Sequence, residues 1–193
     1  MEKKAEFQRK TNETDIKGAL SLFGDGNGTI NTGIGFFDHM LNLWCFHAGF
    51  DLELRCDGDL EVCPHHSVED IGLILGSTFN KILGDRKGIR RYGTAYLPMD
   101  ECLTRTIIDI SGRPYHVFKG NFSFDKIGDF PTEMVSHFFY SFCMESKITL
   151  HQEILYGEND HHRIESLFKG FGRALAEAVR VESDQIPSSK GSL

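Results

Sequence analysis

The sequence is poor in the features that mark secreted, membrane-spanning or nucleic-acid-binding proteins. Its 193 residues include only five cysteines, an odd number with no Cys-x-x-Cys pair, so we expect reduced thiols rather than a disulfide framework or a thiolate zinc site. No apolar run approaches the length of a membrane span, and no signal-peptide core follows Met1-Glu2-Lys3-Lys4. The formal net charge of -7 argues against nucleic-acid or acidic-membrane partners. A cytoplasmic protein is expected.

One histidine-rich cassette occurs twice in the chain. The copies are Pro64-His65-His66-Ser67-Val68-Glu69-Asp70 and Asp160-His161-His162-Arg163-Ile164-Glu165-Ser166, and each leads into an apolar run of helical period. Residues three and four apart share a helix face, so each Glu can lie near either His of its pair. The adjacent imidazoles diverge around the helix, so each is predicted to bind a different metal ion. One copy could be explained without metal binding, as histidines at the start of a helix followed by a glutamate that the helix dipole favours. This explanation is poor for two copies.

The similarity between the two parts of the chain extends beyond the cassettes. His39 precedes His66 by nearly the same interval as His137 precedes His162, and a strand-like stretch lies between the two histidines each time. The sequence therefore predicts two similar halves, residues 1–88 and 89–180, followed by a tail at 181–193.

Each half has the predicted order β-β-β-α-β-α. In the first half we expect strands at 3–10, 15–23, 28–33 and 50–56 and helices at 36–46 and 66–83. The segment Asp25-Gly26-Asn27-Gly28 predicts a hairpin turn between the second and third strands. In the second half we expect strands at 93–99, 101–110, 115–119 and 147–156 and helices at 132–144 and 160–180. The pattern predicts an α+β protein made of a duplicated two-layer α/β sandwich, with the helices of each half on one face of its sheet.

Several further motifs accompany the cassettes: Gly35-Phe36-Phe37-Asp38-His39-Met40-Leu41, Met99-Asp100-Glu101, Ser111-Gly112-Arg113-Pro114 and Pro187-Ser188-Ser189-Lys190-Gly191. With them the chain resembles the imidazoleglycerol-phosphate dehydratase family over essentially its whole length. The resemblance implies a ribosomal protein S5 domain 2-like fold and a metal-dependent lyase of histidine biosynthesis, which dehydrates D-erythro-imidazole-glycerol phosphate to imidazole-acetol phosphate. It also implies two Mn²⁺ per active site and a homo-oligomer of about 24 subunits. Imidazole and carboxylate ligands by themselves suit Mn²⁺, Fe²⁺ or Zn²⁺.

The resemblance also implies roles for individual residues. One metal is assigned to His65, Glu69, His137 and His161 and the other to His39, His66, His162 and Glu165, with the carboxylates exchangeable between the shells. Glu13 matches a substrate-contacting glutamate and is preferred as the general base, with Glu101 of the second half as the alternative. The expected phosphate clamp is Arg91, Arg113, Lys169, Ser188, Ser189 and Lys190. His47, His116 and His151 lie outside the repeated positions and are interpreted as structural, although His47 could line the pocket.

The reaction explains why metal ligands would be needed. The hydrogen to be removed is not next to a carbonyl group, so the substrate's own imidazole must act as the electron sink, which two cations holding it as an imidazolate would favour. Because adjacent histidines on one helix point to different sites, each cassette leaves a ligand facing outward, and we expect active sites that are shared between subunits. Two alternatives remain: a metal-binding assembly without catalysis, and a different metal-dependent lyase or hydrolase on a related scaffold.

Overall fold

The protein is described from a computed structural model, which covers residues 4–191 and 193; Lys3 of the first predicted strand lies outside these residues. The first half consists of β1 (Lys4–Lys10), β2 (Thr14–Ser21), β3 (Gly28–Asn31), α1 (Gly35–Ala48), β4 (Asp51–Gly58) and α2 (His65–Leu83). The second half consists of β5 (Tyr92–Met99), β6 (Cys102–Asp109), β7 (Tyr115–Lys119), β8 (Lys126–Ile127), β9 (Phe130–Pro131), α3 (Glu133–Ser146), β10 (Thr149–Tyr156) and α4 (Asp160–Ala178).

The two halves form separate four-stranded sheets with the same topology. The strand order is β1-β2-β4-β3 in the first sheet and β5-β6-β10-β7 in the second. In each sheet the edge strand that precedes a helix, β3 or β7, pairs in parallel with the strand that follows the helix, and the other pairs are antiparallel. The predicted α+β fold and its duplication are confirmed, whereas the exact division at residues 88 and 180 stays a prediction.

The hairpin predicted at residues 25–28 is wrong. β2 and β3 are not neighbours, because β4 lies between them and pairs with both. The turn residues dock on the start of β4 instead: Asp51 Oδ1 accepts hydrogen bonds from the backbone N–H groups of Asp25 and Asn27, at 3.0 and 2.9 Å. β4 buries Leu52, Leu54 and Cys56 and so takes a central position, whereas the four-residue β3 stays at the edge.

The helices of the two halves pack against each other. Each helix lies on the sheet of its own half, and α1 contacts α4 while α2 contacts α3. One buried ring from each helix meets at the centre of the protein: Trp44 lies 6.0 Å from Phe171 and 5.9 Å from Phe142, and Phe142 lies 5.6 Å from Phe79. The halves therefore share one core, and each helix pair joins residues of both halves.

The short hairpin of β8 and β9 was not predicted, because two-residue strands have no readable period. Its Phe130 is buried and stacks on Phe37 of α1 at 5.4 Å. All five cysteines are free, and four of them are buried. No helix in the described part of the chain is long and apolar enough to cross a lipid bilayer.

Candidate metal centre and active site

One group of possible metal ligands lies where α2 begins. His65 opens α2, Glu69 follows one turn later, and His137 reaches them from α3. The His65 and His137 rings are 4.6 Å apart, and His137 Nε2 lies 3.3 Å from Glu69 Oε1. One ligand atom from each residue falls within 4.8 Å of the other two, which is close enough for all three to bind a single ion.

The close packing of α2 on α3 positions this group. A Cβ atom on Gly72 would lie 3.0 Å from the carbonyl oxygen of Phe138, and a Cβ atom on Gly76 would lie 2.4 Å from that of Phe142. Only glycine leaves room for the α3 backbone at these positions. The glycines therefore fix the distance between His137 and the two ligands on α2.

A second group has the same form where α4 begins. His161 and Glu165 lie one turn apart on α4, and His39 reaches them from α1. Glu165 Oε2 lies 2.9 Å from His161 Nε2 and 3.6 Å from His39 Nε2, and the three residues again offer ligand atoms within 4.8 Å of one another. Both groups combine residues of the two sequence halves.

Glu165 carries its charge in a nearly enclosed place. Burial raises the pKa of this carboxyl, but hydrogen bonds and charge interactions with Lys169 and His161 outweigh burial, and the pKa is lowered overall. Lys169 lies one turn beyond Glu165 and forms an ion pair with it. The group therefore presents a carboxylate beside imidazoles, the ligand types that divalent transition metals accept.

His66 and His162 belong to neither group. His66 Nδ1 lies 3.0 Å from Asp59 Oδ2, and His162 Nδ1 lies 2.7 Å from Glu101 Oε2. Within one chain, the observed grouping therefore differs from the one expected from the sequence. His161, and not His162, lies with His39 and Glu165. The reason is helix geometry, because the residue four positions before the Glu faces it in both cassettes.

Both groups fit a divalent metal ion. Each offers two imidazoles and one carboxylate, and three protein ligands leave coordination positions for a further ligand or a substrate. The surroundings of His137 also favour metal binding. Its Nε2 atom is buried and has no hydrogen-bond partner in the described part of the chain, although it faces His65 and Glu69. A buried ring nitrogen without a partner is costly unless it binds something else.

The two candidate bases have different surroundings. Glu13 lies in the β1–β2 loop, half exposed, and its carboxylate lies 4.0 Å from His66 Nε2. Glu101 lies in the equivalent β5–β6 loop, but its Oε1 accepts the backbone N–H groups of Glu158 and Asn159 and its Oε2 contacts His162. These hydrogen bonds, that of Asn159 first, lower the pKa of Glu101 to about 2. Glu101 is therefore the poorer proton acceptor.

Basic side chains extend from the His39 group along two packed helices. Lys169 and Arg173 follow Glu165 at four-residue intervals on α4, and His47 lies two turns beyond His39 on α1. A Cβ atom on Gly172 would lie 3.2 Å from His47 Cβ. Burial, then the charges of Lys169 and Arg173, lower the pKa of His47. The sequence favoured a structural role for His47 but left open that it lines the pocket; its interval of eight from His39 places it two turns along the same helix.

The remaining predicted clamp residues lie at the opposite ends of the long helices. The Arg91 backbone bonds to Ala178 at the end of α4, while its guanidinium binds Asp109 and, at 2.9 Å, the carbonyl oxygen of Pro187 in the tail. At 1.5 Å per residue, Ala178 is about 20 Å along α4 from Glu165. Arg113 follows Gly112, which lies against Arg86 just beyond α2. Ser188, Ser189 and Lys190 belong to the same tail.

Comparison with known proteins identifies the family. The family model for imidazoleglycerol-phosphate dehydratase matches residues 32–175. The enzyme of that name from Clostridium botulinum (strain Alaska E43 / Type E3) is 55% identical over 190 residues, which cover 98% of this chain and 97% of that protein. The chain belongs to the imidazoleglycerol-phosphate dehydratase family. It is accordingly a lyase of histidine biosynthesis, and its substrate is a small phosphorylated imidazole compound.

Solved structures of the family have the same fold. The imidazoleglycerol-phosphate dehydratase of Staphylococcus aureus subsp. aureus N315 aligns with a TM-score of 0.84 at 40% identity, covering 92% of this chain and 99% of that one. The Pyrococcus furiosus structure, in complex with (S)-C348, aligns with a TM-score of 0.85 at 35% identity, covering 97% and 100%. The duplicated α+β architecture is thus that of imidazoleglycerol-phosphate dehydratases.

Proposed function

We propose that this chain dehydrates D-erythro-imidazole-glycerol phosphate to imidazole-acetol phosphate at a centre of two Mn²⁺ ions, in the cytoplasm. The observation that carries the proposal is the pair of matching three-ligand groups at the starts of α2 and α4, in a chain of this family. Fe²⁺ and Zn²⁺ suit the same ligands, and the family resemblance favours manganese.

The eight proposed ligands divide between two shells that each need a second subunit. His39, His161 and Glu165 bind one ion together with His66 of the partner subunit. His65, Glu69 and His137 bind the other ion together with His162 of the partner subunit. Adjacent rings support this division: the ring centroids of His65 and His66 are 6.1 Å apart and those of His161 and His162 are 6.3 Å apart. The α4 start of one subunit, set against the α2 start of another, can therefore hold two nearby ions.

The proposed phosphate clamp supports the same assembly. Lys169 and His47 lie beside the His39 group, whereas Arg91, Arg113 and the tail lie a helix length away from both ligand groups of their own chain. A small substrate cannot span about 20 Å, so Arg91, Arg113, Ser188, Ser189 and Lys190 would act on a site of a neighbouring subunit. An assembly of about 24 subunits, as the family resemblance implies, provides such neighbours.

Each group has a defined part in the proposed reaction. Bound metal ions would supply Lewis acidity that stabilises negative charge on the imidazole of the substrate. Glu13 accepts the proton, because its carboxylate is half exposed and lies 4.0 Å from His66 Nε2, whereas Glu101 is held on both oxygens. The cations of the clamp hold the phosphate, since charge-assisted hydrogen bonds are the strong ones. Glu101 stays bound to His162 and the α4 backbone.

Turnover of the substrate with and without metal tests the proposal. Protein stripped with a chelator should not convert imidazole-glycerol phosphate, and adding Mn²⁺ should restore conversion. His151→Ala is a suitable control, because His151 lies on β10 outside both ligand groups. Equal turnover by stripped protein would refute the metal role. Metal binding without any turnover of this substrate would favour a different lyase or a non-catalytic assembly.

A further inference from the structure

The two cassette histidines outside the ligand groups, His66 and His162, are each held at the same ring nitrogen. Glu101 Oε2 lies 2.7 Å from Nδ1 of His162, and the Asp59 carboxylate lies 3.0 and 3.2 Å from Nδ1 of His66. An ionised carboxylate can only accept a hydrogen bond, so Nδ1 must carry the proton in both rings. In the neutral form of each ring, the lone pair is then on Nε2.

Both holding residues make further hydrogen bonds. Glu101 Oε1 accepts the N–H groups of Glu158 and Asn159 at 3.0 and 2.8 Å, while the Asn159 side chain caps α4 and accepts the N–H groups of His161 and His162. Asp59 directly follows β4, and its N–H donates to the Glu13 carbonyl oxygen at 3.1 Å. The Glu101 carboxylate is thus anchored at the start of α4, whereas Asp59 is anchored through its main chain to the β1–β2 loop.

We infer that Asp59 and Glu101 are positioning residues, which fix the ring orientation and tautomer of His66 and His162 so that Nε2 can bind a metal ion of the partner subunit. This inference rests on the proposed function. Carboxylates that hold the far nitrogen of a metal-binding imidazole orient the ligand and raise its basicity, and their loss typically weakens metal binding 10- to 100-fold.

The two halves supply the holding carboxylate from different places. Glu101 lies in the β5–β6 loop, whose counterpart in the first half carries Glu13, whereas Asp59 follows β4. The position after β10 that corresponds to Asp59 is Gly157, which has no side chain to offer. The duplication has therefore diverged at this point, and Glu13 does not have to hold a histidine.

Glu101→Gln tests the inference sharply. Because Oε1 binds two backbone N–H groups, the Gln amide should keep its oxygen there and turn its NH₂ group toward His162 Nδ1. That donor would favour the tautomer with the proton on Nε2, which cannot bind metal. Titration of Mn²⁺ into chelator-stripped protein should show one of the two metal sites weakened 10- to 100-fold. Asp59→Asn, whose amide can turn either way, should weaken the other site less.

The matched controls are Glu158→Gln, two residues before α4, and Asp57→Asn, two residues before Asp59, which make the same charge changes at exposed positions. Both should bind Mn²⁺ as the wild type does. The metal-free forms of all four variants should unfold at the wild-type temperature, which excludes a merely structural effect. Wild-type affinity at both sites in Glu101→Gln and Asp59→Asn would overturn the inference alone, whereas a wild type that binds no metal would overturn the proposed function with it.

Discussion

Single residues at equivalent places in the two halves do different work. Glu13 and Glu101 occupy corresponding loops, yet Glu101 is bound on both oxygens and has its pKa lowered to about 2, whereas Glu13 is half exposed. A general base must release and accept a proton near neutral pH. Because of this contrast in hydrogen bonding, we propose Glu13 for proton transfer and Glu101 for ligand positioning.

Glu13→Gln should separate catalysis from binding. The substitution keeps the size of the side chain and removes the proton acceptor, so kcat should fall by roughly 10²- to 10⁴-fold. KM and Mn²⁺ affinity should change much less than kcat, because Glu13 is in neither ligand group and lies 4.0 Å from His66 Nε2. Steady-state kinetics together with metal titration check this expectation. Near-normal kcat would show that another group removes the proton.

At the scale of helices, the ligand groups depend on how closely α2 and α3 approach. Gly76 faces the Phe142 carbonyl oxygen so closely that a Cβ atom would overlap it at 2.4 Å. The added Cβ atom would be bonded directly to the α2 backbone, and the carbonyl oxygen belongs to the α3 backbone, so neither atom can rotate away. The helix pair must separate if any other residue stands at this position, and His137 would move away from His65.

Gly76→Ala should therefore destabilise the protein by about 1–3 kcal/mol, as overpacking in a core does. Metal affinity of the His65 group should fall at the same time. Urea unfolding and metal titration measure the two effects. Gly35→Ala is the control, since Gly35 opens α1 and a Cβ atom there would meet nothing within 4 Å. Unchanged stability of Gly76→Ala would show that the helices do not need this contact.

The sequence specifies the bounds of helices and strands better than it specifies which strands pair. The apolar period of α4 predicts its bounds to within two residues, and the duplication predicts that ligands come from both halves. The hairpin predicted at residues 25–28 was wrong, because the residues of a turn do not reveal that β4 lies between β2 and β3 in the sheet. The sequence placed His161 in the shell of His65, whereas the structure brings it close to His39 and Glu165. Either His of a cassette could share a face with its Glu by spacing, and the His four positions before the Glu does so in both cassettes.

At the scale of the whole molecule, the proposed metal centre needs two copies of the chain. The α2 start offers three candidate ligands and one further histidine, and the α4 start offers the same. Joining the α2 start of one subunit to the α4 start of the next would use every candidate ligand. Contacts between two different surfaces of identical subunits generate rings or closed particles when the rotation closes. Metal ions that bind only the joined form should stabilise the assembly by mass action.

Subunit mixing tests the shared centre most directly. His66→Ala and His162→Ala should each be inactive, because every site would lack one ligand. When the two variants are dissociated with chelator, mixed equally and reassembled with Mn²⁺, random pairing of subunits should complete about a quarter of the sites, and dehydratase activity should return in proportion. A mixture as inactive as its parents, with both variants found in the same particles by mass spectrometry, would contradict the shared centre.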